Sequence, residues 1–304
     1  MLVSDATLLD AGAVLLLLGL AYGAVTDART REVPELLWVV LTLAGGVLGG
    51  IAVAPGGWGP LAFWVIAVAF VFQHLVPWDD AFGGNWPADL VEIGVYAAVV
   101  VLFGLGAYED GLGPNGVPTS ALAVVFSVLF ARGLFEAGIL FGGADAKAVM
   151  VAGVLVPFFP VPLGAVPRGI LPITSVLPFA VDLLMDAALL SVVIPIALAV
   201  RNVCRGEFRG RDGFTTYLLP VEELATKFVW VRDERCPIDR EEEAAIETSE
   251  GDRQWREKIA AELRARGITR VRVGPQIPFV VLLLAGAVAA LLFGNLIFDL
   301  ITLV

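Results

Sequence analysis

Seven acidic residues stand in or beside long apolar runs of this sequence, where an ionisable group is costly to desolvate and marks a candidate site by default. They are Asp27 in AYGAVTDARTREVPELLW, Asp145 in FGGADAKAVM, Glu92, Glu136, Asp182, Asp186 and Asp299. Asp27 and Asp145 lie 118 residues apart, yet each sits where an apolar run meets a base-containing stretch. Two carboxylates held close cannot both ionise cheaply, so such a pair shares one proton near neutral pH. The ionised member can then take a proton from water while the protonated member polarises a scissile carbonyl. That is peptide hydrolysis with neither a metal nor a covalent intermediate. Gly142 and Gly143, just before Asp145, permit a tight turn and the approach of a substrate backbone, and the helix dipole that follows favours a carboxylate. Each residue also has a simpler reading: Asp145 as a helix cap after a Gly-Gly turn, and Asp27 as a cap or an interfacial acid paired with Arg29 or Arg31.

The elements that must position these acids are membrane helices. Of 304 residues, 58% are hydrophobic and 17% charged, and mean hydropathy is +0.84, a balance that excludes an ordinary soluble domain. Apolar runs approach the ~20 residues needed to cross a ~30 Å hydrocarbon core and lack the alternation of a β-barrel. The expectation is an all-α polytopic membrane protein with about eight transmembrane helices, near 7–26, 35–54, 60–76, 90–107, 120–140, 146–162, 176–200 and 276–302. The domain division is then a seven-span bundle over 1–200, a water-exposed insert over 201–273, and a C-terminal transmembrane helix over 274–304. The insert carries fifteen of the twenty Lys/Arg and fifteen of the thirty-one Asp/Glu, leaving sixteen acids against five bases elsewhere to give the net charge of −11. Its composition suits a small α+β or helical module.

Bases are retained on the cytoplasmic side of a membrane. Arg29, Arg31, Arg132, Lys147, Arg201, Arg205, Arg209 and Arg211 fall on one side if eight spans alternate, whereas the opposite loops hold only Arg168. Both termini are therefore expected outside, with the insert and the Asp27/Asp145 edge in the cytoplasm. The amino terminus has two acids and no base before its apolar run, unlike a cleaved secretory signal. Cys204 and Cys236 form no CxxC pair, so the sequence offers no zinc site, and nothing in the charge distribution favours nucleic acid.

DARTREVPELLW, followed far downstream by FGGADAKAVM and, after a charged insert, GPQIPFVVLLLAG, resembles the archaeal prepilin and preflagellin peptidases, relatives of the bacterial type IV prepilin peptidases. That resemblance covers roughly 8–54, 141–200 and 274–300. It implies a GxGD-type membrane aspartyl protease in the cell membrane, with Asp27 and Asp145 as the catalytic pair and no cofactor. Gly142 takes the place of the first motif glycine and Ala144 that of the second, while Gly143 and Lys147 complete the local motif. The implied substrates are precursor pilins and archaellins with basic leader peptides, cleaved at the cytoplasmic face. Glu35 follows Val33-Pro34 where bacterial relatives usually have Asn, and an additional pair of spans separates the two aspartates.

The competing reading is a transporter or proton-coupled channel built on Asp182 and Asp186, which share one helix face at i and i+4. Packing or an outer vestibule is the simpler account of that pair. His74, the only histidine, reads as structural, Glu136 as the partner of Arg132, and Lys147 as an interfacial base whose stem snorkels. Asp79 and Asp80, between tryptophans, suit interfacial anchoring, and Glu241, Glu242 and Glu243 suit a solvated helix face.

Overall fold

The computed structural model describes residues 5–76, 88–113, 115–140, 142–158, 177–233 and 249–302. Asp79, Asp80, Arg168, Cys236 and Glu241 to Glu243 lie outside them. The chain is mostly helical and divides into two compact units, one comprising 1–29, 33–190 and 279–304, the other 30–32 and 191–278.

The first unit is a helix bundle: α1 (Asp5–Thr30), α2 (Glu35–Val53), α3 (Trp58–Leu75), α4 (Ala88–Glu109), α5 (Thr119–Glu136), α6 (Gly143–Leu155), α7 (Phe179–Ser191), α10 (Phe279–Phe293) and α11 (Leu296–Thr302), with α8 (Val193–Cys204) and α9 (Ser249–Ala265) belonging to the second unit. Apolar residues on these helices separate by face. On α1, Ala13, Leu16, Leu20 and Ala24 are buried, while Val14, Leu18, Tyr22 and Val25 are exposed. On α2, Leu36, Val40, Leu43, Val47 and Ile51 form a second exposed apolar stripe at helical spacing. Contiguous apolar stripes of this kind require a solvent that is itself apolar. Six helical segments are long and apolar enough to cross a membrane: Asp10–Thr30, Glu35–Gly56, Trp58–Leu75, Leu90–Glu109, Thr119–Glu136 and Phe179–Cys204. The first is 21 residues, about 31 Å at 1.5 Å per residue, which matches the hydrocarbon thickness.

Two of the expected spans take other forms. The run at 146–162 is a 13-residue helix, α6, nearly every residue of which is buried. It packs against α2, α3, α5 and α10, so it has no lipid-facing stripe and no need of the length that such a stripe implies. The run at 276–302 breaks between α10 and α11 at Gly294, whose φ is +89°. There Asn295 caps α11, its Oδ1 accepting the N–H groups of Ile297 and Phe298 at 3.1 Å. Likewise the run at 176–200 is interrupted at Val192 between α7 and α8, because Pro195 has no N–H to offer the carbonyl one turn earlier.

The directions of the bundle helices follow from close approaches. Any side chain on Gly12 would collide with the Leu155 carbonyl at the far end of α6, so α1 and α6 run antiparallel. A Cβ on Gly45 would lie 2.9 Å from Val154, while Glu35 meets Lys147, so α2 and α6 run parallel. Val280 at the start of α10 meets Asp27. The end of α1 and the starts of α2, α6 and α10 therefore share one end of the bundle.

The second unit is a three-stranded antiparallel sheet, β1 (Tyr217–Pro220), β3 (Arg270–Pro275) and β2 (Val229–Val231) in that spatial order, covered by α9. Leu219, Val229, Val231, Val271 and Val273 pack with Trp255, Ile259 and Leu263 of α9. Buried Asn202, near the end of α8, donates through Nδ2 to the carbonyls of Gly213 and Thr216 at 2.8 and 2.7 Å, closing the loop that leads into β1. Arg31, a non-glycine residue at φ +62°, donates to the Gln276 carbonyl at 2.7 Å and stacks its guanidinium over Phe228. Those contacts hold a backbone conformation that ordinarily selects glycine.

Candidate active site

Asp145 occupies the first turn of α6 and is only 9% exposed. Gly142 is the N-cap, and its carbonyl receives the Asp145 and Ala146 amides at 3.1 and 3.3 Å. The Asp145 carboxylate reaches back to accept the Gly142 N–H, which is the acid half of a capping box. Glycine at 142 leaves room for this carboxylate: a Cβ there would stand 2.6 Å from Asp145 Oδ2 and oblige it to move. Gly143 differs, since a Cβ at that position would meet nothing within 4 Å. Ala144 is partly buried against the bundle core, so its methyl group is accommodated. The structure thus places Asp145 at a helix start, as the cap reading expects.

Asp27 lies within the last turn of α1, which extends beyond the expected end to Thr30. Its Oδ2 accepts the Val280 N–H at 3.3 Å, from the first turn of α10. Asp27 is half-buried, and its charge acts directly on Asp145. The two carboxyl groups therefore lie at the shared end of α1, α2, α6 and α10, within electrostatic reach of each other.

Lys147, two residues beyond Asp145, does not snorkel. Its Nζ donates to both carboxylate oxygens of Glu35 at 2.6 Å, joining α6 to α2. Neither residue type predicted that pairing, which spans 112 positions. The sequence signal was only that an acid follows Val33-Pro34 and that a base follows Asp145.

Asp182 and Asp186 on α7 are fully buried at the opposite end. Asn295 donates its Nδ2 to Asp182 Oδ1, and the Leu296 N–H donates to Asp186 Oδ1 at 2.9 Å. The pair thus anchors the α10–α11 break. From Val280 to Asn295 the chain advances 15 residues, about 22 Å along a helix, which is the separation between the Asp27 end and this acid pair. Glu136 pairs with Arg132 at 2.7 Å, as its i, i+4 spacing predicts, and Arg132 also approaches Glu92 at 3.8 Å. His74 contacts the Phe70 carbonyl at 2.8 Å and the Tyr96 hydroxyl at 2.6 Å, tying α3 to α4. Among the described residues no group of three or more His, Cys, Asp or Glu could hold a metal ion.

No family model matches this sequence, and neither the curated proteins nor the solved structures provide a significant match.

Proposed function

We propose that this chain is a membrane-embedded aspartyl endopeptidase of the prepilin and preflagellin peptidase type. Its substrates in this reading are precursor pilins and archaellins, from which it removes basic leader peptides at the cytoplasmic face. The observation that carries the reading is the meeting of Asp27 and Asp145 from α1 and α6, beside a glycine whose missing side chain lets the second carboxylate adopt its position. Short helices α6 and α10–α11 complete the six long ones to eight crossings. Both termini then lie outside, and residues 201–273 form a cytoplasmic insert.

The chemistry follows from one proton shared by two carboxyl groups. The ionised carboxylate takes a proton from water as the water oxygen bonds to the scissile carbonyl carbon. The neutral carboxyl gives its proton to the carbonyl oxygen, producing a neutral tetrahedral diol. Collapse breaks the C–N bond: the amide nitrogen takes a proton from the acid that had received it from water, and a diol hydroxyl returns a proton to the other carboxylate. The pair ends as it began, one proton between two groups. A substrate with its own membrane helix would present its scissile bond at the interfacial depth of this pair.

The test is incubation of membranes containing this protein with a tagged pilin precursor. Unmodified protein is expected to release the leader, and Asp27→Asn and Asp145→Asn to leave the precursor intact. Undiminished cleavage by either variant would remove the dyad mechanism. Loss of ion-dependent uptake on Asp182→Asn, with no precursor cleavage by any form, would favour transport instead.

A further inference from the structure

Next to the acid pair stands a second pair of opposite charges whose placement the proposed reaction does not by itself require. Resting on the reading above, we propose that Glu35 is a positioning residue that holds the Lys147 ammonium away from Asp27 and Asp145, so that these two carboxyl groups keep one shared proton through neutral pH.

Lys147 follows Asp145 by two residues, opening the second turn of α6, and its side chain is only 18% exposed, whereas that of Glu35 is 59% exposed. Residues two apart on a helix point about 200° apart around its axis, so the backbone does not aim Lys147 at Asp145. A flexible four-carbon stem nevertheless gives the ammonium a wide sweep at this end of the bundle. Glu35 ends that freedom by accepting from Nζ through both oxygens. It sits at the first position of α2, directly after Pro34, where the helix start fixes its direction.

The remaining charged or titratable groups around the pair are accounted for. On the helices packed against α6, α3 carries His74, bound to Phe70 and Tyr96, and α5 carries Arg132 and Glu136, bound to each other. No ionisable residue lies on α10, and α1 adds exposed Arg29 beside Asp27, exposed Tyr22 over a turn earlier, and Asp5 and Asp10 near its opposite end. Lys147 is thus the one cation carried by α6 itself, and Glu35 is the group that holds it.

The consequence is a sign pattern that a plain interhelical strut does not produce. Glu35→Gln leaves an uncompensated cation and favours ionisation of the acid pair, moving the pH profile of cleavage to lower pH. Lys147→Gln leaves an uncompensated anion and moves it to higher pH. Each displacement is on the order of one pH unit for a unit charge several ångströms away in a partly buried setting. The double variant Glu35→Gln/Lys147→Gln returns the profile close to its original position, and Glu35→Asp keeps it there even if the rate falls.

The experiment measures kcat against pH for purified, lipid-reconstituted protein acting on a tagged pilin precursor. In parallel, infrared titration follows the protonated-carboxyl band identified by its loss in Asp145→Asn. Opposite displacements in the single variants, cancelling in the double, are expected in both readouts. Displacement in the same direction, or none with both single variants folded, overturns the role given to Glu35. If Asp27→Asn and Asp145→Asn cleave normally, the failure lies in the dyad reading beneath it. The infrared titration still separates the two cases, because it needs no turnover.

Discussion

The two ends of the bundle each hold a pair of aspartates, and their difference is instructive. At one end Asp182 and Asp186 come from a single helix, are wholly enclosed, and are engaged by Asn295 and Leu296 at a single helix break. At the other, Asp27 and Asp145 come from two helices, 118 residues apart in sequence, one half-buried and one at the edge of burial, with Asp27 tied to the start of α10 and Asp145 to the start of its own helix. A buried acid tied through one oxygen to donors of its own protein pins the elements that supply them, here the α10–α11 break, although the other oxygen of each acid has no partner. An acid set against another acid at an accessible margin works against stability, and such conflicts cluster at functional sites. Residue type is identical in the two pairs; partner and access separate them.

The sharpest way to break this contrast is to neutralise each acid in turn. Asp27→Asn or Asp145→Asn should lower the single-turnover cleavage rate by roughly 10²- to 10⁴-fold, the usual span of an acid or base contribution. Asp182→Asn should leave the rate per folded molecule within about threefold of the original, because this pair lies about 22 Å away along α10. Comparable losses at both ends would erase the distinction.

Gly142→Ala tests how the second acid is held. With a methyl group driven against Asp145 Oδ2, the carboxylate must shift, and a displacement approaching 1 Å costs on the order of 10²-fold in rate. Asn295→Ala probes the opposite end through stability. It removes the donor to Asp182 and the cap of α11, so unfolding in detergent should become easier by about 1–3 kcal/mol while cleavage per folded molecule is retained. Gly143→Ala has the smallest expected effect. The position is open, and alanine in the first turn should change stability by less than about 1 kcal/mol in the favourable direction, readable as a slight rise in unfolding temperature.

The membrane class and the long helices were legible in the sequence because hydropathy records them directly. Helix α6 was less so: a core helix surrounded by other helices leaves an apolar run like that of a lipid-facing one, and only packing reveals that it ends at Leu155. The break at Gly294–Asn295 was similarly concealed within an apolar stretch. At the candidate site, the sequence singles out Asp27, Asp145 and Gly142, and the structure sets the two acids at one end of the bundle and shows the room that Gly142 leaves for Asp145. Glu35 with Lys147, and Asp182 with Asn295, could not be foreseen, since each pair joins residues more than a hundred positions apart through side chains that local patterns do not couple.

The most direct measurement of the central claim is proximity in the native membrane. With Cys204 and Cys236 replaced by serine, the double variant Asp27→Cys/Asp145→Cys should be joined rapidly by a short bifunctional thiol reagent, and a protease site introduced between the two positions would report the link on a denaturing gel. The account predicts efficient joining of 27 to 145 and none between 27 and a cysteine at Asp186. No link at 27–145 under conditions that join a control pair of cysteines at Glu35 and Lys147 would contradict it.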